Sequence, residues 1–283
     1  MIKFEHSVFA LPFAGAGALL AVRDAGYHVP GLPSKLAWIV VAMVAARSAA
    51  MAFNRLLDAD IDARNPRTKT RHIPAGLLSR QSTWVFTAVA AFVFIFAARM
   101  LNRMCLALAP AALGVLFFYS FTKRFTTWSH IILGLSLGIA PAAAWIALRG
   151  SLDPRIVWLT AAVTLWTAGF DVIYSCQDYE FDASAGLFSI PRRFGIRGAL
   201  VISKLLHGGM LAALAFVALA FGLGPVAWAG IAIVAALLVW EHSLVKPHDL
   251  SRVNAAFFTV NGYVSILFFI CWALDILIFR GVR

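Results

Sequence analysis

The chain has 283 residues, of which 61% are hydrophobic and only 13% are charged. Soluble proteins carry about a quarter charged residues, and a soluble domain of this length has too little interior to hide so much apolar surface. The composition therefore excludes a water-soluble protein and predicts an all-α, polytopic integral membrane bundle, with residues 1–283 as one domain in the lipid bilayer. The net charge of +11 does not indicate nucleic acid as a partner, because most Lys and Arg lie between apolar runs, as in membrane loops.

Nine apolar segments are each close to the length of about 20 residues that one helical crossing needs. They run in chain order over residues 7–22, 36–53, 83–101, 104–121, 129–148, 156–176, 198–221, 224–245 and 256–279. The first is the shortest, and segments with Pro and Gly, such as 27–33, separate the others. We therefore expect about nine transmembrane helices.

The basic residues of the connecting loops predict the orientation, because positively charged loops stay in the cytoplasm. Even-numbered loops carry thirteen Lys and Arg, whereas odd-numbered loops carry six. With nine spans, this distribution predicts a cytoplasmic N-terminus in an inner or plasma membrane. It also places the two longest polar loops together on the cytoplasmic face.

Acidic residues form a first cluster at the predicted cytoplasmic end of the second span. Asn54, Asp58 and Asp62 are four residues apart, so that on a helix their side chains share one face while Asp60 points away. Arg47 lies on the same stripe, inside the membrane. Carboxylates at a membrane boundary are costly unless they are paired, solvated or bound to a cation.

A second acidic cluster lies at the predicted cytoplasmic end of the sixth span. Asp171, Asp178 and Asp182 again fall on one helical stripe, with Tyr174 close to that face. Two helices would thus present carboxylates towards each other. Because the spans place both clusters on the same side of the membrane, we expect them to form one site.

Oxygen donors on paired helices are the ligands that Mg²⁺ prefers, usually as a few carboxylates completed by substrate phosphate. The basic run at residues 64–72 follows the first acidic cluster directly and would offer cations for phosphate. The combination predicts a diphosphate site. Two simpler interpretations stay open: the acids and bases pair in a solvated loop face, or the basic residues only reflect membrane topology.

Three segments resemble the signatures of a known family. Residues 54–62 (NRLLDADID), followed by NPRT at 65–68, resemble the first signature of the UbiA superfamily of intramembrane prenyltransferases. Residues 171–182 (DVIYSCQDYEFD) resemble its second signature, and residues 119–126 (YSFTKRFT) resemble the segment that ends the family's fourth span. The resemblance extends from about residue 5 to the C-terminus, and within the superfamily it is closest to 4-hydroxybenzoate polyprenyltransferases.

The resemblance implies a function and a set of site residues. It implies transfer of a polyprenyl chain from an allylic polyprenyl diphosphate to the ring of a small aromatic acid, in ubiquinone or menaquinone biosynthesis, with Mg²⁺ as cofactor. The implied metal ligands are Asp58, Asp62, Asp171, Asp178 and Asp182. The implied catalytic residues are Asp58, Asp62, Asp171, Asp178, Tyr119 and Lys123. The implied substrate-binding residues are Arg47, Asn54, Arg67, Arg71, Tyr174 and Ser189.

One segment departs from the family pattern and concerns the acceptor. After Asp182 such enzymes commonly read G-x-K-S-T-A, whereas residues 186–191 read GLFSIP, so that Phe188 stands where Lys is usual. This Ser-Ile-Pro variant resembles a branch that prenylates a dihydroxynaphthoate in the futalosine route to menaquinone. The acceptor therefore stays open between a 4-hydroxybenzoate-like acid and 1,4-dihydroxy-6-naphthoate.

An ion-coupled membrane transporter is the alternative from a different class, because it would also use buried acids. Both acidic clusters lie at one end of the spans, however, and no inverted repeat is evident in the sequence. The sequence does not determine the prenyl chain length or the oligomeric state. Six further polar residues within or near the later spans are interpreted as structural: Lys204, His207, Glu241, His242, Asn261 and Asp275.

Overall fold

A computed structural model describes residues 10–278, and this range is helical with short connections and no strands. Its α-helices are α1 (Ala10–Asp24), α2 (Leu32–Leu57), α3 (Ala59–Arg64), α4 (Arg80–Leu101), α5 (Arg103–Thr122), α6 (Ser129–Arg149), α7 (Pro154–Ser175), α8 (Tyr179–Ser184), α9 (Ile190–Ala220), α10 (Pro225–Leu244) and α11 (Asn261–Ile278). A 3₁₀ turn (Cys176–Asp178) separates α7 from α8, and a π-helix (Ala255–Val260) leads into α11. The prediction of an all-α polytopic membrane bundle is confirmed.

Within residues 10–278, eight helical segments are long and apolar enough to cross a membrane. They match the second to ninth predicted spans in order. The first predicted span, 7–22, corresponds to α1, which has 15 residues and is therefore shorter than the other eight. Residues 7–9 of that span, and residue 279 of the last one, lie outside the described range.

Helix α9 begins earlier than the predicted position 198. Ser189 caps its N-terminus by accepting a hydrogen bond from the Arg192 backbone N–H at 3.3 Å, and Pro191 suits the first turn. Gly195, with φ 70° and ψ 167°, then interrupts the helical backbone. The apolar periodicity begins only after this kink, so that the polar first turn was not recognised as helical.

The main hydrophobic core is built around α7, which packs against α6 and α9, while α1 packs against α6 and α11. Phe13, Trp166 and Phe268 are completely buried there. On α6, a Cβ at Gly134 or Gly138 would collide with α7. Because these two glycines lack side chains, the backbones of α6 and α7 approach closely, as is common between membrane helices.

Helices α2, α4 and α5 pack together and contact α6, whereas α10 packs against α9 and α11. A cavity of about 490 Å³ lies between the group of α2, α4 and α5 and the pair α6–α7. Helices α2 and α7 end at the same end of the cavity, and each is followed by a short helix, α3 or α8. The two acidic clusters therefore meet at one end of the bundle.

Candidate active site

The cavity has a polar end and an apolar end. Side chains of both acidic clusters and of the basic run line the polar end, whereas α2, α4, α5 and α6 supply apolar residues such as Met43, Leu101, Leu108 and Ile139 at the other. A cavity of this kind suits a molecule with a charged head and an apolar tail.

The first acidic cluster keeps its common face although α2 ends within it. Asp58 takes φ −89° and ψ 2° between α2 and α3, yet helical hydrogen bonds continue from the Asp58 N–H to the Asn54 carbonyl (2.9 Å) and from the Asp62 N–H to the Asp58 carbonyl (2.7 Å). The Asn54 amide donates to Asp58 Oδ2 at 2.9 Å. Asp60 points outwards, with its side chain 78% exposed and paired with Arg80.

The second acidic cluster reaches the same cavity from α7 and α8. Asp171 and Tyr174 lie on the last turns of α7, Asp178 follows in the 3₁₀ turn, and Asp182 lies on α8. All four line the cavity. Asp178 and Asp182 are only 6% and 1% exposed, so that the acids face the interior of the site rather than water.

Arginines from the loop after α3 bind carboxylates of both clusters. Arg67 makes two bonds to Asp178, from Nε to Oδ1 at 2.9 Å and from Nη2 to Oδ2 at 2.6 Å. Arg71 Nη1 lies 2.7 Å from Asp62 Oδ1. Paired bonds of this type are strong and directional. The acids and bases do pair, as one of the simpler interpretations predicted, but Asp62 and Asp178 are buried and line a cavity instead of a solvated face.

The pKa values of Asp58 and Lys123, two cavity residues just outside the long helices, are shifted. Burial raises the pKa of Asp58, and Arg124, whose Nη2 lies 3.1 Å from Asp58 Oδ1, opposes this rise. Burial by itself would lower the pKa of Lys123, but the facing carboxylates of Asp182 and Asp178 outweigh it and raise the pKa. Lys123 therefore stays protonated and supplies a positive charge at the polar end.

The remaining predicted site residues fall into two groups. Arg47 and Tyr119 line the cavity, and the buried Nε of Arg47 has no hydrogen-bond partner among the described residues. Ser189, in contrast, is fully buried and is not among the described residues that line the cavity. It caps α9 and lies beside Asp182. The position of Ser189 therefore does not favour direct contact with a substrate.

The donor set fits a hard cation that substrate oxygens complete. Five carboxylates, those of Asp58, Asp62, Asp171, Asp178 and Asp182, line one cavity, and the buried Asp182 Oδ2 has no partner among the described residues. Within residues 10–278, no three acidic, His or Cys side chains are close enough to enclose an ion by themselves. Carboxylate oxygens that need additional ligands are typical of Mg²⁺ sites with bound phosphate.

A family model for the UbiA prenyltransferase family matches residues 10–277. The chain belongs to this family. It is 30% identical over 228 residues to a 4-hydroxybenzoate octaprenyltransferase from Vibrio atlanticus (strain LGP32), covering 80% of this chain and 79% of the relative. It is 31% identical over 230 residues to the enzyme of the same name from Pseudomonas aeruginosa (strain UCBPP-PA14), covering 81% and 77%. The predictions of the family and of a prenyltransferase enzyme are confirmed.

Solved structures have the same fold. The apo structure of a UbiA homologue from Aeropyrum pernix K1 matches with a TM-score of 0.87 and 33% identity, covering 97% of this chain and 99% of that one. A UbiA homologue from Archaeoglobus fulgidus bound to DMAPP and Mg²⁺ matches with a TM-score of 0.66 and 19% identity, covering 96% and 98%. At this lower identity, the second match supports the fold alone.

The sequence analysis of this prenyltransferase missed His130, which contacts a predicted site residue. His130, 1% exposed at the start of α6, has Nδ1 at 2.7 Å from Asp171 Oδ2. Its Nε2 accepts the backbone N–H of Ile190 at 3.5 Å, so that a neutral ring carries its proton on Nδ1 and donates it to Asp171. An ionisable residue within a predicted span was the available signal.

Asn65 was named only as part of a motif, although its side chain joins the loop after α3 to the second acidic cluster. Its Nδ2 donates to Asp178 Oδ1 at 3.2 Å, and its Oδ1 accepts the backbone N–H of Arg67 at 2.9 Å. The amide therefore holds Arg67 and its carboxylate partner together. No local pattern predicts this contact, because Asn65 and Asp178 are 113 positions apart in the chain.

Proposed function

We propose that this prenyltransferase transfers a polyprenyl chain from an allylic polyprenyl diphosphate to a ring carbon of a small aromatic acid, of the 4-hydroxybenzoate type, in ubiquinone or menaquinone biosynthesis. The single observation that carries the proposal is the cavity, in which an end lined by basic and acidic residues adjoins an apolar region and Arg47, whose Nε has no partner among the described residues. The names of the relatives with about 30% identity support the same acceptor class.

The diphosphate would bind at the polar end of the cavity. Arg67, Arg71, Lys123 and Arg124 all line this end and can offer hydrogen bonds to phosphate oxygens. The Asp58, Asp62, Asp171, Asp178 and Asp182 carboxylates would hold Mg²⁺ there. When bound, Mg²⁺ supplies positive charge that stabilises the departing diphosphate. The isoprenoid tail would lie along the apolar helices.

The chemistry requires a carbon–oxygen bond to break so that diphosphate leaves with the electron pair. The fixed cations of the cavity stabilise the charge that develops on the leaving group. Tyr119 and Tyr174 line the cavity, and an aromatic ring can stabilise an allylic cation by about 1–2 kcal/mol. The aromatic ring then forms the new carbon–carbon bond and loses a proton from the same carbon, for which the cavity carboxylates are the available acceptors.

The aromatic acid would bind through Arg47. This guanidinium lies on α2 below Asn54, and its Nε is buried without a partner among the described residues. A carboxylate can accept two parallel hydrogen bonds from a guanidinium. This arrangement would hold the ring next to the polar end of the cavity, where the diphosphate would bind.

1,4-Dihydroxy-6-naphthoate is a second candidate acceptor, which the Ser-Ile-Pro segment favours. Ser189 and Ile190 are both fully buried, and the Ile190 N–H contacts His130, which binds Asp171. The variant segment therefore lies directly behind the site. We further infer that the site faces the cytoplasm and that the N-terminus is cytoplasmic, because the basic loops predict that orientation.

The test is a transfer assay with purified, detergent-solubilised protein. An allylic polyprenyl diphosphate is incubated with 4-hydroxybenzoate or 1,4-dihydroxy-6-naphthoate, each with Mg²⁺ or with a chelator. Metal-dependent product with one acceptor identifies the substrate. If folded protein forms no product with either acceptor, the proposed acceptor class is wrong, and transport of ions across proteoliposomes becomes the next assay.

A further inference from the structure

Four buried polar side chains lie close together in the second half of the bundle, apart from the charged end of the cavity. We name Trp166, His207, Glu241 and Asn261 the buried polar group. All four are at most 2% exposed. Glu241 Oε1 accepts from Asn261 Nδ2 at 2.7 Å, and Glu241 Oε2 lies 3.6 Å from His207 Nδ1. Polar groups that are buried in a membrane protein need such partners. A cluster of buried polar side chains is therefore a candidate for a functional role.

The orientation of the Asn261 amide follows from its neighbours. The Trp166 indole N–H lies 2.7 Å from Asn261 Oδ1, and an indole nitrogen can only donate. The amide oxygen therefore faces Trp166, and the NH₂ group faces Glu241. With both neighbours in place, only one orientation of the Asn261 amide brings its oxygen to a donor and its NH₂ group to an acceptor.

The same NH₂ group contacts the backbone of the π-helix Ala255–Val260. Asn261 Nδ2 lies 3.1 Å from the Ala256 carbonyl and 3.2 Å from the Phe257 carbonyl. A π-helix is rare and commonly occurs at functional sites. In a membrane its carbonyls need internal donors, and the Asn261 side chain provides one for two of them.

The π-helix places Phe257 in the wall of the cavity. The Phe257 ring lies 4.2 Å from the Tyr174 ring and 5.2 Å from the Phe170 ring, centroid to centroid. Removing the extra residue of a π-turn would rotate the preceding segment about the helix axis by about 100°. Phe257 would then leave the cavity wall, and Tyr174 would lose its neighbour.

Tyr174 in turn contacts Arg67, which joins the loop after α3 to the second acidic cluster. Arg67 Nη1 donates to the Tyr174 hydroxyl at 3.2 Å, and the guanidinium carbon lies 5.3 Å from the Tyr174 ring centroid. Arg67 is also the partner of Asp178. A continuous set of contacts therefore runs from Asn261 through Phe257 and Tyr174 to the polar end of the cavity.

We propose that Asn261, oriented by Trp166 and Glu241, is a positioning residue that holds the π-helix so that Phe257 supports Tyr174 and Arg67 in the cavity. This inference rests on the proposed function, because Arg67 matters only if the cavity binds the diphosphate. Asn261 itself does not line the cavity among the described residues. Its effect would therefore reach the substrate through residues of the cavity wall, of which Phe257 lies on the π-helix that Asn261 contacts.

The test combines activity with a double-mutant cycle. Asn261→Leu removes the amide at similar volume, and we expect about a tenfold loss of kcat/KM, as when a supporting residue behind a site is lost. In a Phe257→Leu background the same substitution should cost less than about threefold, because coupled residues are not additive. Glu241→Gln keeps an oxygen for the Asn261 amide and should retain most of the activity.

Asp275→Ala is the matched control, because Asp275 is also buried on α11 but caps the start of α10. The loss of kcat/KM in the Asp275→Ala, Phe257→Leu double variant should equal the product of the losses in the two single variants. Independent effects of Asn261→Leu and Phe257→Leu, or wild-type kcat/KM in Asn261→Leu, would overturn the proposal.

Hydrogen exchange separates this proposal from the proposed function. Amides of the π-helix should exchange faster in Asn261→Leu than in wild type or Asp275→Ala, because local opening is limited by such contacts. Unchanged exchange in Asn261→Leu overturns the positioning role whatever the activity. Inactive wild-type protein with faster exchange in Asn261→Leu would refute the proposed substrates and support the positioning of Phe257.

Discussion

Two groups of buried polar side chains differ in what surrounds them. At the polar end of the cavity, Asp178 is paired with Arg67, whose side chain is 32% exposed. In the buried polar group, Glu241 and Asn261 are both 0% exposed and bond to each other, and the Asn261 amide also bonds to the backbone. Both groups are costly in a membrane, but only the first adjoins a cavity that a substrate can enter.

The difference teaches how a buried polar residue in this protein should be interpreted. A carboxylate paired with a partly exposed arginine can exchange that partner for another charge, because its surroundings remain accessible. An enclosed network of hydrogen bonds loses several bonds at once when one of its members is replaced. Substitutions at the cavity should therefore change the reaction with the fold intact, whereas substitutions in the buried polar group should first change the shape of the bundle.

The largest effect is expected at the cavity acids. Asp58→Asn and Asp171→Asn should each lower kcat by about 100-fold or more, the scale seen when one electrostatic contributor to a transition state is lost. Asp60→Asn is the control from the same segment, since Asp60 is exposed and surface substitutions are usually close to neutral. Prenyl transfer and size-exclusion profiles would be measured together. Full activity in both cavity variants would contradict the metal assignment.

A smaller and more selective effect is expected at Arg47. Arg47→Leu should raise the KM for the aromatic acid by about 10–100-fold, because hydrogen bonds to charged groups contribute about 1.5–3 kcal/mol. The KM for the prenyl diphosphate should change little, and Arg47→Lys should lie between wild type and Arg47→Leu. Steady-state kinetics with each substrate varied in turn would check this. A rise in the diphosphate KM alone would assign Arg47 to the diphosphate.

His130 should act through Asp171. His130→Ala is expected to lower kcat by about tenfold or more, and to raise the Mg²⁺ concentration needed for half-maximal rate, as is usual for a residue that orients a metal ligand. His130→Asn, which can still donate to Asp171, should recover part of the loss. The rate measured across a Mg²⁺ titration is the readout. An unchanged titration in His130→Ala would remove His130 from the site.

The smallest effect on catalysis is expected at Asp275. Its carboxylate accepts hydrogen bonds from the backbone N–H groups of Gly224 and Ala227 at 2.8 and 3.1 Å. Loss of such a cap costs about 1–2 kcal/mol, which corresponds to a Tm lower by roughly 2–8 °C for a chain of this size class. The kcat of Asp275→Ala should stay at the wild-type value. A Tm equal to that of wild type would mean that Asp275 does not stabilise α10.

Much of the fold could be predicted because it depends on local properties of the chain. Apolar runs of helical length located the eight long membrane segments, and a four-residue spacing placed Asp58 and Asp62 on one face. The first span was harder to predict, because α1 has only 15 residues. The first turn of α9 was missed, because its residues are polar and Gly195 separates them from the apolar stretch.

The sequence by itself determined that this protein lies in a membrane, that it is helical, that its acids cluster at helix ends and that its motifs belong to a prenyltransferase family. Only the tertiary structure decided which charges meet. Arg67 and Asp178 are 111 positions apart, and His130 and Asp171 are 41 apart. The physical reason is that helical periodicity determines the direction of a side chain along its own helix, whereas its partner depends on how distant helices pack.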